Sequence, residues 1–190
     1  MALCIGVLKE TPDGEKRVSL VPSDLKAIKA LGASVMIETG AGQASAYPDS
    51  AYEALGATIA KSRAEVLSAS QIVLFVAPPT GLLGPGKTDQ LFIGLGDALS
   101  NPRPHAALAK SGAKTMALEL VPRITRAQSM DVLSSMATLL GYRGVLLAAD
   151  ALPRVFPLMM TAAGTLSPAR VLVMGAGVAG LSAIATARRL

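Results

Sequence analysis

Disulfides, multi-cysteine metal sites and aromatic stacking platforms are all beyond the means of this sequence. Cys4 is the only cysteine in 190 residues, so no internal disulfide can form, and a reduced, cytosolic setting is expected. Tryptophan is absent and aromatics make up only 3%, which leaves few rings for nucleic-acid bases to stack on. His105 is the single histidine. No run of about 18 uninterrupted apolar residues occurs. The most apolar stretch is broken by Arg143, Asp150 and Arg154, and no direct membrane span is expected. The opening MALCIGVLKE has neither a basic n-region nor a long apolar segment, so no signal peptide is expected.

What is present is a globular α/β composition, 51% hydrophobic with 18 Gly and 12 Pro, built on Ala, Leu and Val. The net charge of +5 raises the question of a nucleic-acid partner, and its distribution answers it. Residues 1–114 carry +1 and residues 115–190 carry +4. The excess resides in the dispersed Arg123, Arg126, Arg143, Arg154, Arg170, Arg188 and Arg189, which form no basic run, so no nucleic-acid partner is expected.

Short apolar runs alternate with helical spacing along the first two thirds of the chain. Strands are expected at 3–7, 34–38, 57–59, 71–76, 91–95 and 114–118. Helices are expected at 22–31 with Ser23 as its cap, at 52–55, 62–68 and 104–111. The loop between the fourth and fifth strands holds Pro78, Pro79, Gly81, Gly84, Pro85 and Gly86, residues that stop a strand. This β-α-β order predicts a doubly wound parallel sheet with helices on both faces. From Thr125 the pattern becomes one long or broken helix, and 156–168 reads as a connection. The expected organisation is an N-terminal α/β domain over 1–125, a linking helix region over 126–165, and over 166–190 the first strand, Gly-rich turn and helix of a second, incomplete Rossmann domain.

The sharpest chemical signal is Gly175-Ala176-Gly177-Val178-Ala179-Gly180, which follows the apolar run RVLVM and precedes a helical pattern. This is G-x-G-x-x-G between strand and helix: the first glycine permits a tight turn, the second admits a pyrophosphate, and the third lets helix and strand pack. The helix N-terminus would then offer free N–H groups to the phosphates. A purely structural glycine turn is the alternative. The acidic residue that would confirm the motif falls about 20 residues further on, and the sequence runs to Leu190.

A second constellation lies in PRITRAQSMDVLSSMATLLGYRGV, residues 122–145. Thr125 and Gln128 have capping-box spacing, so Gln128 can be read as a helix-start residue reaching back to its cap. In the other reading, Gln128, Asp131, Ser134 and Ser135 form a polar face beside Arg123 and Arg126, suited to holding a carboxamide and a ribose.

Those residues, with GYR and the run MTAAGTLSPARVLVMGAGVAGLSAIATARRL, resemble the NAD-binding domain of the alpha subunit of proton-translocating NAD(P) transhydrogenase. The opening IGVLKETPDGEKRVSLVP and the loop ETGAGQAS resemble the shared start of that subunit and of alanine dehydrogenase. The resemblance implies NAD(H) held in a cleft, with direct hydride transfer to or from NADP(H) on a separate domain and proton translocation by membrane subunits. It places Arg123, Gln128, Asp131 and Ser134 around the nicotinamide and its ribose, Gln128 and Asp131 having the catalytic positioning role. Gly175, Gly177 and Gly180 then lie at the pyrophosphate. A homodimer is expected, cytoplasmic and held at the inner membrane by its partners. No metal is implied.

Two alternatives remain beside that resemblance. An alanine dehydrogenase-like oxidoreductase would need an arginine, a lysine and a histidine around a keto acid. Arg17 matches the arginine, as a substrate clamp or as a tie for the first loop. Phe75 stands where relatives carry the lysine, and His105 lies at an expected helix start. The other alternative is an inactive, truncated chain.

Overall fold

A computed structural model describes residues 3–77 and 86–190. Pro78, Pro79, Gly81, Gly84 and Pro85 of the expected strand-stopping loop lie outside the described residues. The chain divides into two compact units, Met1–Val121 and Pro122–Leu190.

The first unit is a six-stranded parallel sheet. Its strands are β1 (Cys4–Val7), β2 (Ser34–Glu38), β3 (Thr58–Ala60), β4 (Ile72–Leu74), β5 (Leu91–Gly94) and β6 (Lys114–Ala117), in the order β3-β2-β1-β4-β5-β6. Helices α1 (Leu25–Ala30), α2 (Asp49–Glu53), α3 (Arg63–Ala69) and α4 (Arg103–Lys110) connect them. All six expected strands form, most of them shorter than the apolar runs that announced them.

Period-two alternation sends neighbouring residues to opposite faces of the sheet, and a core lies on each. Val7 joins Leu25, Val35, Ile37 and Tyr52 in one. Leu8 joins Val66, Val73, Phe92 and Leu108 in the other. Helices therefore cover both faces, which is why these strands are apolar almost throughout. Tyr52 is fully buried and its hydroxyl donates to the Leu20 carbonyl at 2.9 Å; burial pushes its pKa up to about 12.

Two helix starts differ from expectation. A 3-10 turn at Pro22–Asp24 precedes α1, with Val21 at its cap position and no side-chain capping bond from Ser23. Proline at the first position already fixes the backbone there. By contrast, Ser62 caps α3 by accepting the Glu65 N–H at 3.3 Å.

Strand order reverses between β1 and β4, the place where open α/β sheets leave a crevice at their carboxyl ends. Glu10 bridges it, accepting the N–H groups of Val76 at 2.6 Å and Ala77 at 3.1 Å. Burial raises the pKa of that carboxyl against the lowering effect of those two bonds.

The second unit contains a 3-10 segment (Thr125–Met130), the 20-residue helix α5 (Val132–Ala151), an antiparallel hairpin of β7 (Met159–Thr161) and β8 (Gly164–Leu166), and α6 (Val178–Arg189). The hairpin occupies what reads in the sequence as a plain connection. Residues 170–174, read as a strand, form none, because no described strand lies beside them to share a ladder. Leu172 and Met174 are 86% and 91% exposed. Although α5 carries Arg143 and Asp150, its length and mean hydropathy of 1.4 meet the requirement for crossing a membrane. Averaged hydropathy tolerates two charges that an uninterrupted-run criterion does not.

Candidate functional site

Within the second unit, Arg123, Leu133, Ser134 and Ala137 face Met174, Gly175, Gly177, Val178, Ala179 and Gly180 across an open cleft of about 380 Å³. One wall is the segment leading into α5 and its first turns; the other is the Gly-rich turn and the start of α6. Five of the seven site residues expected from sequence therefore share one cavity.

Each glycine of the turn has a different local reason. Gly175 has φ +100°, a backbone conformation that side chains disfavour. A Cβ on Gly180 would collide with the Gly175 carbonyl oxygen, so this position lets turn and helix close on each other. Gly177 has an ordinary φ of −76° and open space where a Cβ would stand. Nothing in the described chain demands glycine there. The residue instead leaves room in the cleft, next to the first N–H groups of α6, which have no partner within their helix. These are the features a pyrophosphate group requires.

The opposite wall is organised by Asp131. Its carboxylate accepts the Ser134 backbone N–H at 2.9 Å and the Ser134 hydroxyl at 2.6 Å. It is thus the N-cap of α5 and also fixes the hydroxyl that lines the cleft. The Ser134 hydroxyl bond, the Ser134 N–H bond and the nearby charge of Arg123 hold its carboxyl below the usual carboxylate range. The Thr125–Gln128 capping box does not form: the 3-10 segment starts after Ile124 without a side-chain cap. Asp131 wins because its short carboxylate sits directly before the α-helix proper, where the exposed N–H groups are. Gln128 is exposed, outside the cleft lining, and its carboxamide makes no hydrogen bond among the described residues.

Sequence reasoning also missed Gly141. A Cβ there would collide with the Ala179 carbonyl oxygen and come within 3.0 Å of the Ala183 nitrogen, so α5 and α6 touch backbone to backbone. Beside this contact the Ser182 hydroxyl donates to the Thr138 carbonyl at 2.7 Å.

The residues of the amino-acid-oxidation alternative lie in the first unit. Arg17 donates from Nε and Nη2 to the two Glu15 oxygens at 2.8 and 2.6 Å, and that pair lowers the Glu15 pKa. Phe75 is 5% exposed and belongs to the core with Val73 and Phe92. His105 donates from Nε2 to the Gly96 carbonyl at 2.9 Å, the carbonyl being an acceptor only. Its Nδ1 is buried without a partner among the described residues. Among the described residues no three His, Cys, Asp or Glu side chains are grouped to hold a metal ion.

Comparison with known proteins agrees with this architecture. The family described as alanine dehydrogenase/PNT, N-terminal domain, matches residues 6–140, and its C-terminal domain counterpart matches residues 144–190. An NAD(P) transhydrogenase subunit alpha of Rhodospirillum rubrum is 46% identical over 98% of this chain and 50% of its own length. Alanine dehydrogenase of Mycolicibacterium smegmatis is 31% identical over 95% of this chain and 49% of its own. The crystal structure of transhydrogenase from Sinorhizobium meliloti superposes with a TM-score of 0.90 at 42% identity, covering 98% of this chain and 56% of that one. The chain thus spans about half the length of these relatives. On fold and on sequence over nearly its whole length, the chain belongs to the alanine dehydrogenase/PNT family and is more similar to the transhydrogenase alpha subunit than to the alanine dehydrogenase.

Proposed function

We propose that this chain supplies the NAD(H)-binding side of a proton-translocating NAD(P) transhydrogenase. The observation that carries the reading is the cleft in which Arg123 and Ser134 face Gly175, Gly177 and Gly180. The open space above Gly177 and the free N–H groups of α6 suit a dinucleotide pyrophosphate. When bound, NAD(H) supplies the hydride chemistry, its partner being NADP(H) on a separate domain. The chain's own contribution is orientation. Asp131 fixes the Ser134 hydroxyl towards the ribose, Arg123 adds a positive charge to the same wall, and Gln128 projects its free carboxamide towards the nicotinamide. Holding two rings at transfer distance is the main service such a site performs, and no nucleophile or general acid is required.

In this reading residues 166–190 open the NAD-binding Rossmann domain, 126–165 link it to the N-terminal domain of 1–125, and α5 is a packed helix rather than a membrane span. Proton translocation belongs to membrane subunits, which hold this cytoplasmic component, a homodimer, at the inner membrane. The 190-residue chain without its partners has no hydride acceptor and is inactive in transfer. Fluorescence titration tests the cofactor side: NADH should bind more tightly than NADPH, and the reverse order would overturn the assignment. Steady L-alanine-dependent NADH production would move the chain to the amino-acid-oxidising branch of its family.

A further inference from the structure

The nucleotide cleft has two walls on two helices, so its width is set wherever those helices are pinned together. That place is one turn beyond the cleft. Ala137 lines the cleft on α5 and Ala179 lines it on α6. Gly141 meets the backbone of Ala179 and approaches Ala183, leaving no room for a Cβ. The Ser182 hydroxyl bonds the Thr138 carbonyl at 2.7 Å across the same junction. Gly180, at the other side of the first turn of α6, is pressed equally closely on the Gly175 carbonyl. The first turn of α6 is therefore held between two backbone contacts, one to α5 and one to the Gly-rich turn. A side chain at either contact must displace it.

We infer that Gly141 is a positioning residue for the dinucleotide site: its missing side chain, together with the Ser182–Thr138 bond, sets how far the α6 N-terminus stands from Ser134 and Arg123. This rests on the reading of the cleft as an NAD(H) site. Gly144 is the internal comparison, since it lies one turn further along α5 with open space where a Cβ would stand. An alanine at 144 adds a methyl group and meets nothing; at 141 it pushes Ala179 and the N–H groups behind it away from α5. A site loosened by about an ångström through its supporting contacts loses much of its function.

The test uses the 190-residue chain, with Gly141→Ala, Ser182→Ala and Gly144→Ala compared by backbone amide NMR and by NADH titration. Gly141→Ala should shift the amide resonances of Gly177, Ala179 and Gly180 before any ligand is added, and weaken NADH binding about tenfold. Ser182→Ala should do the same to a smaller extent, and it serves if Gly141→Ala does not fold. Gly144→Ala should leave both readouts unchanged. Unmoved turn amides in both junction variants would overturn the inference, as would moved amides with undiminished NADH affinity. Should the unaltered chain bind no NADH at millimolar concentration, the dinucleotide reading fails instead, while the amide shifts still decide whether Gly141 sets the turn.

Discussion

Ser134 gives both of its hydrogens to Asp131, the backbone N–H to Oδ1 and the hydroxyl to Oδ2. One carboxylate thus starts α5 and aims a cleft-lining hydroxyl, and removing it should cost on both counts. Asp131→Ala should lower the melting temperature of the second unit by about 5 °C at pH 7. The folded-state pKa of Asp131 is depressed, so its contribution is present above the unfolded value of about 4 and is lost as pH falls through the lower folded value. Melts at pH 7 and pH 2.5 should therefore show the difference between wild type and variant shrinking in acid. Asp131→Asn, which retains a capping oxygen, should melt closer to wild type at pH 7.

Gly177→Ala separates a structural glycine from a ligand-facing one. Its φ is ordinary and no described atom lies within reach of a Cβ, so the melting temperature should stay within about 2 °C of wild type. NADH affinity should nevertheless fall tenfold or more, read by fluorescence titration. Unchanged binding would leave the turn without a pyrophosphate. Gly180→Ala should instead destabilise the unit itself, because its Cβ has no space.

Gln128→Asn should leave stability untouched, since the Gln128 carboxamide makes no hydrogen bond in the described chain. In a complex reconstituted with an NADP(H)-binding partner, stopped-flow hydride transfer should drop by about tenfold, equivalent to roughly 1.4 kcal/mol of transition-state stabilisation. Normal rates would remove Gln128 from the site.

Tyr52→Phe should destabilise the first unit by about 1–2 kcal/mol, because the buried Leu20 carbonyl loses its donor. The raised phenol pKa of about 12 gives a second readout. Stability from the protonated phenol is complete below about pH 10, the unfolded value, and is lost as pH rises towards 12. Denaturant melts from pH 8 to pH 11 should show wild type losing more stability than the variant.

The sheet was legible because its information is local. Runs such as Cys4–Val7 and Ser34–Glu38 are apolar wherever they occur, and the order of strands and helices leaves few topologies. The hairpin Met159–Thr161 with Gly164–Leu166 was not legible: its strands have three residues each, and its turn is Ala162-Ala163 rather than Asn-Gly. Residues 170–174 failed in the opposite direction, since a ladder depends on a neighbour and not on composition. At the candidate site, Arg123, Ser134 and the three glycines could be read from residue type and spacing. The capping role could not, because Thr125 and Asp131 both offer oxygens at plausible helix starts. Gly141 left no signal at all, a lone glycine in a helix being explained only by the helix that touches it.

The place of that glycine gives α5 a mechanical character. Gly141 lies roughly midway along a helix of 20 residues, which at about 1.5 Å per residue is some 30 Å long. Its backbone contact with Ala179 is then a fulcrum, with Ser134 on one arm and the Met159–Leu166 hairpin reached from the other. A seesaw of a few degrees that moves Ser134 by about 1 Å must carry the far end by a similar distance in the opposite sense. A spin label at Met160 on the hairpin is therefore a place from which filling or emptying of the cleft can be watched without touching it.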